Sequence, residues 1–318
     1  MAELERRAEV GSVLGMARRP FDPSAEGWRK VSYRQGDVLD RGALAALLDG
    51  AEVAVHLAFA IFGSREETRR INLEGTRNVF EVAVKARVKR LVYASSVAAY
   101  GFHSENPQPL TEEVPARGSE GFYYSRQKAE LEGLLDELLL DSEVAAYVFR
   151  PCIVAGPRAT MLIEQTVDAV RAGDPVPLLR RGVGRLPLLK PILPDPGVPF
   201  QLVHHDDVAR AMAAAICGDG PPGAYNLAGE GEVRVRDVAG ALGWRWMPVP
   251  RPAVSLGTAA ARRLSFASPK LEWSIAADMP VLMDTTKARR DLAWNPQHSA
   301  QQTLRETVAG AREKGLLD

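Results

Sequence analysis

The sequence predicts an α/β protein built on a doubly wound parallel sheet, and three observations support this prediction. Short apolar, β-branched runs alternate with longer helical patterns through the first half of the chain. These runs are apolar almost throughout, as expected of parallel strands that are covered on both faces. At 318 residues with 46% hydrophobic content, the chain can also bury a sizeable core.

The elements of the first half follow from these patterns in chain order. Five strands are predicted, at Val10–Met16, Val31–Tyr33, Val53–Phe59, Arg90–Ser95 and Ala145–Phe149. Three helices between them have apolar residues at helical spacing, at Gly42–Leu48, Glu66–Ala86 and Phe122–Leu140. Strand–helix alternation of this kind is typical of strands joined by crossover helices. We therefore expect residues 1–157 to form the core domain.

The second half predicts a smaller mixed α/β subdomain. Leu178–Pro199 is rich in Gly, Pro, Leu and Arg without periodicity, which predicts a loop or lid and not a strand of the sheet. Later elements are the strands Phe200–Val203 and Ala224–Leu227, a helix from Asp207, and helices near Thr286–Leu292 and Ala300–Ala311. Asp206 and Asp207, like Asp40, are expected to cap the helices that follow them. We expect 158–318 to bind mainly substrate, with residues near 200–217 returning to the core.

The start of the chain predicts that the sheet lacks its first strand. Ala2–Ala8 has the pattern of the last turns of an amphipathic helix and leads directly into a strand. A strand and a glycine-rich turn would precede such a helix in a doubly wound sheet. Our expectation is that roughly 20 residues carrying them are absent, the length of a strand, a turn and half a helix. The alternative is a divergent protein that never had them.

A GxGxxG match occurs elsewhere, at Gly218–Gly223, but its position argues against a phosphate-binding loop. A phosphate-binding loop of this type leaves a strand and opens a helix whose N–H groups face the pyrophosphate. This match follows a predicted helix and precedes a predicted strand, and Pro221 and Pro222 have no N–H to donate. It is therefore predicted to be an ordinary turn.

Composition and charge exclude several classes of function. Lys plus Arg number 40 and Asp plus Glu number 40, so no net charge favours nucleic acid as a partner. The longest apolar runs are far below the roughly 20 residues that span a bilayer, which predicts a cytoplasmic protein without a membrane partner. Cys152 and Cys217 form no CxxC pair. His204 and His205 have no ligand set at metal-binding spacing, so the sequence predicts no metal.

Tyr124 and Lys128 form the strongest candidate for chemistry. They stand at i and i+4 in a predicted helix, so their side chains share one face. A nearby ammonium favours phenolate and would lower the tyrosine pKa from about 10 towards working pH. Ser96 would then help to hold a substrate oxygen. The alternative is a surface lysine one turn away from a packed tyrosine.

Several segments together resemble the extended short-chain dehydrogenase/reductase family, in its NAD-dependent epimerase/dehydratase group, from Val10 to about Val308. The resembling segments are Gly36–Val38, His56–Ala58, Asn72–Thr76, Tyr93–Gly101, Tyr124–Lys128, Arg150–Pro157, Val203–Ala209, Tyr225–Gly229 and Leu292–Pro296. The resemblance implies a Rossmann-like fold and an NAD(P)-dependent enzyme. It also implies Tyr124 as general acid/base, Lys128 as ribose-binding partner and Ser96 as partner of the reacting oxygen.

The resemblance further implies a cofactor site and a choice of reactions. The implied cofactor-binding residues are Arg18, Asp37, Val38, Leu57, Ala58, Phe59, Asn72, Tyr124, Lys128, Pro151 and Ile153. Arginine at position 18 slightly favours NADP over NAD, because relatives that prefer NAD usually place an acidic residue there. Dehydration is disfavoured, because Val97 and Ala98 replace the usual Asp–Glu pair. The substrate is expected to be a sugar nucleotide or a small apolar ketone.

Two further alternatives remain open. The protein could be a homodimer through the helices Glu66–Ala86 and Phe122–Leu140, as the resemblance implies. It could also be a non-catalytic or truncated binding or regulatory protein that cannot hold the dinucleotide, because no phosphate-binding loop opens the sequence.

Overall fold

The computed structural model describes residues 1–61, 63–172, 190–250 and 279–317, and of residues 169–172 it describes the backbone alone. The strands are β1 Val13–Ala17, β2 Val31–Gln35, β3 Val53–His56, β4 Arg90–Ala94, β5 Ala145–Pro151, β6 Ile153–Ala155, β7 Ile192–Asp195, β8 Leu202–His204, β9 Gly223–Leu227 and β10 Arg245–Pro248. The helices are α1 Ala2–Arg6, α2 Arg41–Leu48, α3 Arg65–Arg69, α4 Thr76–Lys85, α5 Tyr123–Leu139, α6 Met161–Ala172, α7 His205–Cys217, α8 Val235–Leu242, α9 Thr286–Asp291 and α10 Ala300–Glu313.

The main sheet confirms the predicted α/β fold with parallel strands. Its hydrogen-bonded order is β3-β4-β5-β9, and every pair is parallel. β1 and β2 form a separate parallel pair, as do β6 and β8. Within the described residues no strand pairing joins β1 to β3. The boundary at residue 157 and the two-domain division stay predictions.

Two buried clusters cover the two faces of the main sheet. One cluster packs α2, α4 and α5 against it, and Phe80, Leu91 and Leu135 have no exposed surface. The other cluster packs α7, α9 and the segment between α9 and α10 against the opposite face, around Phe149 of β5 and Tyr225 of β9. Apolar residues on both faces of each strand explain why the strands were apolar almost throughout.

The predicted helix Glu66–Ala86 is interrupted in the structure. A π-helical segment, Arg70–Gly75, joins α3 to α4. Within it the Asn72 side chain donates to Ala60 O and accepts from Ala60 N, which anchors the loop after β3. Gly75 packs so closely on Val38 that an added Cβ would lie 2.5 Å from Val38 Cγ2. A π-helical turn of this kind is frequent near functional sites.

The expectation of a loop or lid over Leu178–Pro199 is wrong in its last part. Ile192–Asp195 forms β7, which pairs in parallel with β10 and alternates exposed and buried residues. Leu193 is buried in a third cluster with residues of α8 and α10. The sequence pattern did not predict this short strand, because Gly and Pro lie nearby and only pairing with a distant segment stabilises it. Residues 178–189 lie outside the described part of the chain.

Helix capping confirms one expectation and corrects two. Asp40 caps α2, accepting from Gly42 N and Ala43 N at 2.9 and 3.0 Å. The N-cap of α7 is instead His204, whose Nδ1 accepts from Asp206 N at 3.2 Å. Asp206 and Asp207 lie in the first turn, because α7 begins earlier than the prediction, at His205.

The Gly218–Gly223 segment is the turn that the sequence predicts. It leaves the C-terminus of α7, where Gly218 adopts the left-handed conformation with φ 92°, and enters β9 at Gly223. Glycine tolerates that conformation at a helix C-terminus better than other residues. Among the described residues, no helix is both long enough and apolar enough to cross a bilayer.

Candidate active site

The candidate site lies where the parallel strands end. Ser95 and Ser96 follow β4 directly, and the one-turn 3-10 helix Val97–Tyr100 comes next. Ser125 Oγ of α5 donates to Ala98 O at 2.6 Å, which fixes the start of α5 against this turn. The carboxyl ends of neighbouring parallel strands meet at one edge of the sheet, which is where ligands bind in open α/β folds.

Ser96 and Tyr124 are brought together, as the sequence predicts. Ser96 is 8% exposed, and its Oγ accepts from Ala98 N at 3.2 Å. The same side chain hydrogen-bonds to the Tyr124 phenol. The Tyr124 ring also packs edge-on against Phe59, with the ring centroids 5.4 Å apart. Tyr124 is therefore held by one hydroxyl and an aromatic wall.

The pKa of Tyr124 differs from the expectation. Burial raises it above its ordinary value, and the hydrogen bond from Ser96 opposes that shift. Lys128 does not contribute to lowering the pKa of Tyr124. The physical reason is that removing the phenol from water disfavours phenolate more than its neighbours favour it.

Lys128 is buried among oxygens and aromatic rings. It is 2% exposed, and its Nζ donates to Ala94 O at 2.8 Å and to Tyr93 Oη at 3.4 Å. The Phe59 ring centroid lies 3.8 Å from the same nitrogen. Burial lowers the pKa of Lys128 to about 7, although Glu132 raises it. Near neutral pH this amine can therefore gain or lose a proton.

Behind Lys128 lies a buried ion pair that the sequence analysis did not identify. Glu132 accepts from Arg150 Nε and Nη2, at 3.1 and 2.5 Å, and both side chains are under 10% exposed. Ser95 Oγ also donates to Glu132. Arg150 lies over the Tyr100 ring at 4.5 Å, while its Nη1 has no hydrogen-bond partner in the described structure. Position i+4 after Lys128 was the available signal for Glu132.

Seven of the predicted cofactor-binding residues lie in three regions of the chain. Asp37 and Val38 form the turn after β2, where Asp37 Oδ1 accepts from Leu39 N at 3.0 Å. Leu57, Ala58 and Phe59 follow β3, and Leu57 is 59% exposed. Pro151 ends β5 and Ile153 begins β6.

Two other predicted cofactor-binding residues, Arg18 and Asn72, lie outside these regions. Arg18 is exposed just after β1, and its backbone oxygen accepts from Gln35 Nε2 at 2.9 Å. Asn72 is 1% exposed and bonds to Ala60 and, at 3.0 Å, to Gln127. Asn72 thus positions the loop that carries Phe59.

Residues 2–228 match the family described as the NAD dependent epimerase/dehydratase family, which is more than half of the chain. The chain belongs to this family. Its predicted resemblance is therefore confirmed, and the family is one of NAD-dependent oxidoreductases and epimerases.

Two relatives are similar to this chain over most of its length. The uncharacterized protein y4nG of Sinorhizobium fredii is 24% identical over 299 residues, which are 91% of this chain and 71% of that protein. A 3 beta-hydroxysteroid dehydrogenase/Delta 5-->4-isomerase of Mycobacterium tuberculosis is 27% identical over 302 residues, 88% of this chain and 78% of that protein.

A solved structure shows the same fold. The crystal structure of the Bordetella bronchiseptica enzyme WbmG in complex with NAD and UDP superposes with a TM-score of 0.67 at 20% identity. The match covers 96% of this chain and 88% of that one. At this identity the likeness establishes the Rossmann-like fold.

Proposed function

We propose that this family member is an NAD(P)-dependent oxidoreductase or epimerase that acts on a carbinol or carbonyl carbon. The observation that carries the proposal is the meeting of Ser96 and Tyr124 beside the buried amine of Lys128, at the end of β4. A phenol and a hydroxyl in contact, with an amine that shares the Phe59 ring with the phenol, suit proton transfer to a substrate oxygen.

Tyr124, Ser96 and Lys128 have different roles in this chemistry. Tyr124 Oη gives or takes the proton of the substrate oxygen, and Ser96 Oγ hydrogen-bonds to that oxygen. Lys128 Nζ would bind the ribose hydroxyls. The nicotinamide, when bound, supplies or accepts the hydride. A substrate oxygen that accepts from Tyr124 and Ser96 would be oriented for this transfer.

The described residues offer donors for one end of the dinucleotide, although the Phe59 ring covers Lys128. Ser96, Tyr124 and Lys128 offer the hydroxyl and amine donors that a nicotinamide ribose needs, and the exposed Leu57 leaves the edge of the sheet open. At the other end, Asp37 and Val38 would contact the adenosine, and Arg18 slightly favours a 2′-phosphate and hence NADP. Phe59 must turn away from Lys128 to admit the ribose.

Two substrate classes remain in the proposal. The named steroid dehydrogenase relative favours a small apolar ketone or hydroxysteroid-like alcohol, and the solved structure that holds UDP favours a sugar nucleotide. Dehydration is not proposed, because Val97 and Ala98 provide no acid–base pair next to Ser96.

Fluorescence titration with NADPH and NADH tests cofactor binding, and single-turnover assays with each substrate class test catalysis. Tyr124→Phe removes the proton donor and should lower turnover by about 10²- to 10⁴-fold, with dinucleotide affinity little changed. The matched control is Tyr123→Phe, which removes a neighbouring hydroxyl that donates to Arg65 O. Equal activity of the two variants would contradict the role of Tyr124.

A non-catalytic binding or regulatory protein is the second candidate function. The Phe59 ring over Lys128 favours it, because the ring covers the amine that a ribose would contact. If neither dinucleotide binds at millimolar concentration, this second function replaces the first.

A further inference from the structure

Three histidine rings lie in contact beside the start of α7, apart from the residues of the candidate active site. The ring of His204 lies between those of His205 and His298, with centroid distances of 4.3 and 3.9 Å. His204 ends β8 and His205 begins α7, whereas His298 comes from the segment before α10. The fold therefore adds a third imidazole that is distant in sequence.

Two carboxylates face these rings. Asp206 Oδ1 lies 3.0 Å from His205 Nδ1, and Asp206 Oδ2 lies 3.7 Å from His204 Nδ1. On the other side of the ring, Glu306 Oε2 lies 3.2 Å from His204 Nε2. Among the described residues neither carboxylate forms an ion pair with lysine or arginine. Their negative charge is thus directed at imidazole nitrogens.

One nitrogen atom at the centre of the cluster lacks a hydrogen-bond partner in the described structure. His204 is 2% exposed, yet its Nε2 has no hydrogen-bond partner in the described structure, because Glu306 is near but not in line. A buried polar atom without a partner is unfavourable and needs an explanation. This nitrogen faces Glu306, whereas the Nδ1 atom of the same ring faces Asp206.

Asp207 has a different, structural role. Its carboxylate accepts from Gln297 N, from His298 N and from Arg210. It also lies 3.0 Å from His298 Nδ1, which fixes the orientation of that ring.

We propose that His204, His205 and Asp206 form a binding site for a divalent transition-metal ion, of which Zn²⁺ is the representative. One nitrogen of each ring and one carboxylate oxygen lie within 4.8 Å of one another. Tetrahedral Zn²⁺ with ligands at about 2.0–2.1 Å separates them by about 3.3 Å, and the Asp206 oxygens lie 3.0 Å from His205 Nδ1 and 3.7 Å from His204 Nδ1.

The chemistry of the ligands selects the metal. Imidazole nitrogen with carboxylate oxygen suits Zn²⁺, Ni²⁺ and Cu²⁺ better than Mg²⁺ or Ca²⁺, which prefer oxygen alone. The Asp206 side chain is 59% exposed, which leaves an entry path. At His204 Nδ1 the ion replaces the hydrogen bond from Asp206 N, and Glu306 remains near to balance charge.

The sequence predicted no metal because His204 and His205 had no ligand set at the usual spacing. The three proposed ligands are consecutive in the sequence, but only the folded structure shows that their side chains converge. His298 and Glu306 reach the cluster through the packing of α10 on β8. The inference is independent of the proposed enzymatic function.

Isothermal titration of the tag-free, chelator-treated chain with ZnCl₂, NiCl₂ and MgCl₂ tests the site. We expect one Zn²⁺ per chain with a dissociation constant on the order of micromolar, and no comparable Mg²⁺ binding. Co²⁺ should show visible d–d absorption at the same stoichiometry. His205→Ala and Asp206→Asn should each weaken Zn²⁺ binding by about tenfold or more.

The matched control is His103→Ala, which removes an imidazole that bonds to Gly118 O outside the cluster. It should leave Zn²⁺ affinity unchanged, and circular dichroism of each variant checks folding. The proposal fails if Zn²⁺ does not bind stoichiometrically, or if His205→Ala and His103→Ala bind it equally.

Discussion

The Nζ atom of Lys128 lies 3.8 Å from the centroid of the Phe59 ring, so an aromatic side chain covers the buried amine. The two residues come from different elements, since Phe59 follows β3 and Lys128 lies in α5. Asn72 holds the loop of Phe59 in place through Ala60. Access to Lys128 therefore depends on a loop whose anchor is in the π-helical segment.

Phe59→Ala should raise the pKa of Lys128 from about 7 towards the ordinary lysine value. Removing the ring admits water to the amine and reduces the burial that disfavours its charge. The pH dependence of amine modification, resolved at Lys128 by mass spectrometry, measures the shift. Phe21→Ala is the matched control, because Phe21 packs on Trp28 and Tyr33, away from Lys128. An unchanged pKa in Phe59→Ala would show that the ring does not control access.

The stability of the protein should rise between pH 7 and pH 9 because of Lys128. Its folded pKa, about 7, is below the unfolded value of 10.5, so the unfolded chain binds more protons in this range. The free energy of unfolding then increases by up to about 1.4 kcal/mol per pH unit. His56, whose pKa burial lowers to about 3, is neutral throughout this range.

Urea unfolding of the wild type and Lys128→Met at pH 7 and pH 9 isolates this contribution. The difference between the two proteins should change by about 2–3 kcal/mol over these two pH units. If both proteins respond to pH alike, Lys128 keeps an ordinary pKa in the folded state.

Glu132→Gln should destabilise the fold by about 3–5 kcal/mol. The substitution leaves the buried guanidinium of Arg150 without its opposite charge, and that ion cannot reach water. The midpoint of urea unfolding measures the loss. Glu137→Gln makes the same change at an exposed position of α5 and should alter stability by less than about 0.5 kcal/mol. Similar midpoints for the two variants would mean that the pair contributes nothing.

Asn72→Ala should loosen the loop after β3 more than the rest of the protein. The change leaves Ala60 N, Ala60 O and Gln127 Oε1 without their partner, at a cost of about 1–3 kcal/mol. Hydrogen exchange followed by mass spectrometry should show faster exchange in residues 57–61. Asn295→Ala, at an exposed position, is the control. Unchanged exchange in 57–61 would refute the anchoring role of Asn72.

Local patterns in the sequence were sufficient for much of the fold. The i to i+4 spacing of Tyr124 and Lys128 lies on α5 as predicted, and Asp40 caps α2. These features depend on neighbours within one or two turns, which the sequence displays directly. The strand β7 escaped prediction because its partner, β10, is distant in sequence.

The sequence by itself determined the parallel α/β fold, the family and the residues of the candidate active site that lie on one helix and one strand end. Only the tertiary structure decided that burial raises the pKa of Tyr124, that Phe59 covers Lys128 and that His298 joins His204. Burial and contacts between distant segments depend on how all elements pack, whereas helix and strand periodicity depends on adjacent residues alone.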